Sequence, residues 1–442
     1  MFKLPEPVVI ALNKLNANGF ESFIVGGCVR DLLLKRIPVD YDIATNALPL
    51  QIKEIFSEYR TIDIGIKHGT VAVIIGEMQL EITTYRVDGK YIDKRHPSNV
   101  IYSANIAEDL SRRDFTINSI AYSPQHGIVD IFDGQKHITQ RKIVCVGDAK
   151  LRFQEDALRI LRAIRFSSQL GFQIDHETSA QIHELSYNLL DISSERIHAE
   201  LDKLIMGSGV FSVLTEYSDV IAVFLPEIKD SIGFEQHSKY HKYDVWVHSS
   251  LAVACASQDR VVRLAMLLHD SGKPACFTLD ENGFGHFPNH ADLSAELAKK
   301  ALKRLKYDNK TIEEIVLLIQ YHSHTLKSKK NIKRIMAKLG KKIFFKLIDV
   351  QKADASAKMD FCLEKLSELE EVEQIAKKII TDNECISVSE LAINGYDLLN
   401  MGFKGKEIGF ILNQLLSDVI DGKINNSKIV LLENVVEKYK VL

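Results

Sequence analysis

The chain has no cysteine framework, no long apolar run and almost no net charge, and each absence removes a class of protein. Its six cysteines (Cys28, Cys145, Cys255, Cys276, Cys362 and Cys385) are scattered with no C-x-x-C pair, which argues against a disulfide scaffold and a thiolate zinc site. A reducing cytoplasm fits that usage. No stretch approaches the length of a membrane span, so no membrane partner is expected. The opening Met1-Phe2-Lys3-Leu4-Pro5-Glu6-Pro7 leads into an amphipathic segment broken by Asn13, Lys14 and Asn16, unlike the unbroken apolar core of a secretory signal. A formal net charge of −3 supplies no global field for nucleic acid, so such a partner needs a local basic surface. At 442 residues the chain is too long for one ordinary core, and about three or four domains are expected.

What is present is concentrated first near the start. Phe23-Ile24-Val25 reads as a buried strand, Gly26-Gly27 permits a tight turn without a Cβ in the way, and Val29 to Leu34 reads as a short helix. Free amides at a helix start suit a phosphate, and Arg30 adds a charge-assisted contact; the plain alternative is a surface arginine paired with Asp31. Asp40 and Asp42 stand at i and i+2 of a second extended segment, so both carboxylates point to one face. Two hard oxygen ligands side by side suit magnesium. A helix over Leu50 to Ser57 and strands over Thr61 to Ile64, Thr70 to Ile75 and Met78 to Tyr85 follow, with Glu81 a weaker third acid. Val87 to Leu110 has no periodicity and reads as a long functional loop. Ser111-Arg112-Arg113-Asp114 reads as a capped, charged helix start.

This order and spacing resemble the DNA polymerase β-like nucleotidyltransferases, in the form found in class II tRNA nucleotidyltransferases and bacterial poly(A) polymerases. The resemblance implies that Asp40 and Asp42 are catalytic and hold Mg2+. It implies that Gly26, Gly27, Arg30, Arg112, Arg113 and Asp114 bind the nucleotide, and that the loop before Arg112 switches specificity from cytidine to adenosine.

Arg152 to Phe166 contains good helix formers without Gly or Pro, and Arg159, Arg162 and Arg165 recur along one side. One helix through Asp156 makes Asp156 and Arg159 neighbours, at minimum an ion pair of about 0.2–0.5 kcal/mol. A carboxylate beside a guanidinium also matches the donor and acceptor edges of cytosine and adenine, and mismatches uracil and guanine. Glu155, Asp156 and Arg159 resemble the protein template of the same family, with Arg162 and Arg165 facing triphosphate or RNA. The segment Glu195 to Leu201 is assigned to packing.

Histidines cluster later: His237, His241, His248, His269, His286, His290, His322 and His324. His248, the pair His269-Asp270 and Asp354 resemble the ligand set of the HD domain, which implies a second site for a divalent transition metal and phosphoester hydrolysis. A degenerate scaffold is the alternative. From Lys299 to Lys346 fifteen Lys or Arg stand against three acids, which reads as a phosphate-backbone surface.

The expected fold is α+β: a nucleotidyltransferase head over 1–147 with a mixed or antiparallel sheet, a helical neck over 148–235, an HD-like helical domain over 236–355 and a helical tRNA-binding tail over 356–442. The expected function is template-independent addition of C, C and A to the tRNA 3′ end from CTP and ATP. Two alternatives stand beside it: a poly(A) polymerase or A-adding enzyme, and an HD-type phosphohydrolase whose head binds RNA.

Overall fold

Ser22–Val25 forms β1, with all four residues buried. In this computed structural model, which describes residues 2–65, 69–88, 100–238, 242–358 and 364–439, β1 lies near the middle of a seven-stranded sheet. The other strands are β2 (Asp42–Thr45), β3 (Arg60–Gly65), β4 (Thr70–Ile75) and β5 (Met78–Thr84), then β6 (Arg86–Asp88) and β7 (Val100–Tyr102), which pair only with each other, and β8 (Ile120–Ser123) and β9 (Gly127–Asp130). The sheet order is β3-β4-β5-β2-β1-β8-β9. Only β2 and β5 run parallel; the other pairings are antiparallel, so the sheet is mixed. The alternating burial of β5 and the nearly continuous burial of β4 follow from apolar residues at period 2 and in an unbroken run, respectively. The helix Glu6–Ala17 buries Val8, Ala11, Leu12 and Leu15 at helical spacing.

Two compact units divide at Pro226 and Glu227. The first holds the sheet and the helices through Phe224; the second is helical apart from the small pairing of Thr278–Leu279 with Gly285–His286. Within the second unit, the helix Lys341–Ser356 packs with Glu364–Thr381 around Phe344, Ile348, Val372 and Ile379, so one core joins residues on both sides of position 355.

Three local expectations change. The segment Arg152 to Phe166 is two helices, Ala149–Glu155 and Leu158–Leu170, because Asp156 is extended and its carboxylate caps the second by accepting from the Leu158 amide at 3.1 Å. Ser111 ends a helix, Ile106–Ser111, which starts where Asn105 accepts from the Ala107 amide. The long loop is therefore not structureless from residue 100 onward, while 89–99 lie outside the described residues. Part of the basic run is paired within the chain: Lys330 and Arg334 lie 3.2 and 2.7 Å from Asp421, and Lys329 and Lys333 face Glu384.

Helix Leu158–Leu170 meets Ser194–Ile205 closely because of Gly207. A Cβ there would overlap the Ser168 hydroxyl and backbone, and Ser168 itself donates to the Leu204 carbonyl at 2.6 Å. Gly207→Ala is expected to destabilise the first unit by about 1–3 kcal/mol, the range for overpacking, read as a lower urea midpoint; an unchanged midpoint would show that the contact relaxes freely.

Candidate functional site

Strand register brings the first site together. Val25, the last residue of β1, pairs with Asp42, the first of β2, and Asp42 pairs with Glu81 of β5. The glycine turn and the carboxylates therefore meet at one end of the sheet. Asp40 precedes the strand, and Asp40, Asp42 and Glu81 are all exposed. The Asp42 carboxyl is nevertheless pushed up to about 6, by the surrounding protein first and then by Asp40, with Glu81 adding and Arg113 opposing.

Gly26 sits at φ 78° and ψ −133°, a conformation that disfavours any side chain. A Cβ there would also come within 2.9 Å of Arg113 Nη1, so the missing side chain lets the guanidinium lie over the turn. The Gly26 amide donates to the Ile120 carbonyl, and Gly27 opens the helix Gly27–Leu33. Arg30 is not on the surface: it is buried, donating to Asp31 at 2.9 Å and to Asn118 Oδ1 at 2.8 Å. Arg112 and Arg113 share the buried Asp109, at 2.7 and 3.0 Å. Asp114 accepts from Arg162 at 2.6 and 2.8 Å, from Asn118 and from the Phe115 amide. Burial alone would raise its carboxyl, but Arg162 and these donors outweigh it and hold it at about 2.

The arginine helix completes this cluster. Arg159 donates to Glu155 at 2.6 Å and to the carbonyls of Arg152 and Arg112. Arg165 pairs with Glu200 at 2.6 Å and lies 3.9 Å over the Phe166 ring. Asp156 pairs with Arg196 at 2.9 Å rather than with Arg159. All the head and neck residues singled out from sequence thus lie at the carboxylate end of the sheet or on the arginine helix and its lead-in. Asp109 and Asn118 were not singled out, and Arg196 and Glu200, in the segment assigned to packing, also pair with Asp156 and Arg165. The spacing of Asp109 to Arg112 and Arg113 offered a local signal; Glu200 and Arg196 gave none, because their partners are distant in sequence. The assembled surface presents guanidiniums and carboxylates suited to phosphate oxygens and nucleobase edges.

In the second unit the fold gathers His248, His269, Asp270 and Asp354 and adds His290 and His322. His248 Nε2 lies 3.1 Å from Asp354 Oδ1, and His269 Nε2 lies 3.2 Å from Asp270 Oδ2. His290 and His322 approach the other Asp270 oxygen at 3.5 and 3.8 Å. Burial would lower His269, but Asp270 and Asp354 outweigh it and raise it to about 9; burial pushes His322 down to about 3. Sequence position gave no link between His290, His322 and the other four, since His290 opens one helix and His322 follows the end of another.

Comparison with known proteins places these features in context. Residues 22–144 match the poly A polymerase head domain, 171–231 the probable RNA and SrmB-binding site of polymerase A, and 280–435 a putative tRNA nucleotidyltransferase domain 2. The CCA-adding enzyme of Lactococcus lactis subsp. cremoris is 47% identical over 235 residues, 52% of this chain and 58% of that protein. That of Leuconostoc citreum is 47% identical over 221 residues, 49% and 54%. The chain thus spans somewhat over half the length of these curated relatives. The Bacillus stearothermophilus CCA-adding enzyme in complex with CTP is similar in structure, with TM-score 0.76 and 26% identity over 99% of this chain and 100% of that one. The Thermotoga maritima CCA-adding enzyme complexed with tRNA shares the fold at TM-score 0.59 and 19% identity, over 99% and 97%. No described helix is long and apolar enough to cross a membrane.

The depressed Asp114 carboxyl carries a pH signature. Its folded value near 2 lies below the ordinary 3.8, so it contributes stability above pH 3.8 that is lost as pH falls toward 2, about 2 kcal/mol in all. Asp114→Asn is expected to be less stable than the parent at pH 7 by about that amount, with the gap narrowing toward pH 2. Urea unfolding at both pH values measures it, and a gap independent of pH would contradict the assignment.

Proposed function

We propose, on the premise that the head of this chain belongs to the poly(A) polymerase head-domain family and the remainder to its tRNA nucleotidyltransferase branch, that the protein adds C, C and A to the 3′ end of tRNA from CTP and ATP. The observation that carries the reading is the convergence of Asp40, Asp42 and Glu81 beside the Gly26 turn and Arg113. Three exposed hard-oxygen donors facing one guanidinium fit Mg2+, with Asp40 and Asp42 holding it and Glu81 beside them. When bound, the metal neutralises triphosphate charge and polarises the α-phosphorus.

The chain's own groups do the rest. Arg113, fixed by Asp109, places a guanidinium over the turn where the triphosphate lies. The tRNA 3′ hydroxyl attacks the α-phosphorus in line, the new phosphodiester forms as the bond to pyrophosphate breaks, and the exposed carboxylates at the sheet end accept the hydroxyl proton. Base choice falls to Asp156 and Arg159, oriented by Arg196 and Glu155 respectively. An acceptor and a donor held by separate partners match the edges of cytosine and adenine without depending on each other.

Incubating the protein with tRNA lacking its 3′ CCA, with each nucleoside triphosphate alone and combined, and sequencing the products tests the reading. C, C and A are expected, with UTP and GTP left unused; a homopolymeric A tail on unrelated RNA, or A alone, would replace it with one of the rival activities. Asp40→Ala and Asp42→Ala are each expected to lower incorporation by about 10³-fold or more, or about 4 kcal/mol in the barrier. Incorporation at the parent rate in either variant would remove the carboxylates from the chemistry.

A further inference from the structure

Between the helix Gly27–Leu33 and β2 the chain runs Lys35-Arg36-Ile37-Pro38-Val39 and then reaches Asp40. The helix end is closed by two bonds: the Arg36 amide donates to the Asp31 carbonyl at 2.8 Å, and the Lys35 amide to the Leu32 carbonyl at 3.0 Å. This paired closure runs around a left-handed residue, Lys35 at φ 58°, and satisfies carbonyls the helix would otherwise leave open. Pro38 is buried and anchors the segment, and it limits Ile37 to extended backbone. On either side of that anchor, Ile37 and Val39 are 93% and 99% exposed, the two most exposed large hydrophobic side chains among the described residues. Lys35 and Arg36 are exposed as well, and among the described residues neither pairs with an acid.

A single apolar side chain in water is ordinary. Here two share one held turn, with two cations before them and the carboxylate centre after them. Chain geometry keeps the Cα of Val39 about 3.8 Å from that of Asp40, and the Cα of Ile37 within about 11 Å of it. Charge and reach together indicate the occupant. Lys35 and Arg36 suit a polyanion, and in the proposed reaction the triphosphate is already met by the Gly26 turn and Arg113. The other anionic chain that must end beside Asp40 is the RNA. The base at its growing end changes with each addition: whatever ends the tRNA body, then C, then C again. A surface that serves all of them must not read the hydrogen-bonding edges of a base, and aliphatic side chains have no donor or acceptor with which to do so.

We infer that Lys35, Arg36, Ile37 and Val39 form the seat for the growing 3′ end of the RNA. Ile37 and Val39 lie against the terminal base, and Lys35 and Arg36 meet the phosphates behind it. The seat directs the 3′ hydroxyl toward Asp40 without selecting the base, which leaves selection of the incoming nucleotide to Asp156 and Arg159. The inference rests on the reading of the head as a tRNA nucleotidyltransferase and adds to it the surface that holds the acceptor end.

The test uses the full chain and a tRNA that lacks CCA and ends in 4-thiouridine. Irradiation is expected to crosslink that nucleotide to the peptide containing Ile37 and Val39; a crosslink confined to other peptides overturns the inference. Crosslinking needs no turnover, so it separates this inference from the assignment of the activity, which incorporation by the parent decides. Ile37→Ser combined with Val39→Ser removes only solvent-facing groups and is expected to raise KM for tRNA about 10-fold while KM for CTP stays unchanged. An unchanged KM for tRNA, or an equal rise in both constants, overturns it. Lys35→Gln combined with Arg36→Gln should lower the salt slope of tRNA binding by about 1.4, at about 0.7 for each single-strand phosphate; an unchanged slope removes the two cations from the seat. A dimer of the parent that the serine variant abolishes, with KM for tRNA unchanged, would give the surface to a second copy of the chain instead.

Discussion

Burying guanidinium groups is the constraint on which the first unit is built. Arg30, Arg159 and Arg165 are each less than one-tenth exposed, and a buried cation left unpaired would cost several kcal/mol. Each is therefore met by an acid: Asp31, Glu155 and Glu200. The partly exposed Arg162 takes Asp114, which lies between the short helix Ile106–Ser111 and β8. The arginine helix thus docks only where the sheet and the helix Ser194–Ile205 both arrive with their carboxylates. Phe166 completes the joint, with the guanidinium carbons of Arg30, Arg162 and Arg165 at 5.2, 5.3 and 3.9 Å from its ring. The proposed nucleotide surface and the packing of the unit are therefore one network. A substitution at a proposed contact residue alters both binding and assembly.

The second unit uses a different arrangement. There, four imidazoles gather around Asp270 and Asp354, which against burial raise His269 to about 9, and Lys273 and Lys358 pair with the same two carboxylates. In the first unit the buried guanidiniums meet carboxylates; in the second the carbonyls of Ala357, Met266, Phe287 and Ile319 orient the rings. The helix C-terminal carbonyls of Met266 and Ile319, which need a donor in any case, serve to aim His269 and His322.

What could be read in the sequence was what short-range spacing encodes. The Gly26-Gly27 turn after an apolar strand, the Asp40-x-Asp42 pair and the β-meander are local patterns, and the corresponding elements lie within a residue or two of their expected positions. Pairings across long separations were not legible. Glu81 was readable as a third acid, but its place beside Asp42 comes through parallel register between distant strands. Asp156 looked like a residue inside one helix because its neighbours are strong helix formers; its carboxylate capping Leu158 and pairing with Arg196 overrode that propensity. The lysines around Lys330 looked like an open cationic surface because Glu384 and Asp421 lie far downstream. His290 and His322 were visible as histidines, but only the fold turns their rings to one carboxylate.

The two clusters differ most usefully in donor chemistry. The head offers carboxylate oxygens at an exposed sheet end, whereas the second unit offers mostly imidazole nitrogens within a buried pocket. Hard oxygen donors that leave room for water and phosphate suit magnesium, which dehydrates reluctantly; imidazoles give a steeper preference for later divalent ions. Donor type alone thus sets the two clusters apart: on the proposed reading the head takes a hard cation that exchanges with each nucleotide, and the imidazole-rich set of the second unit does not favour that same cation.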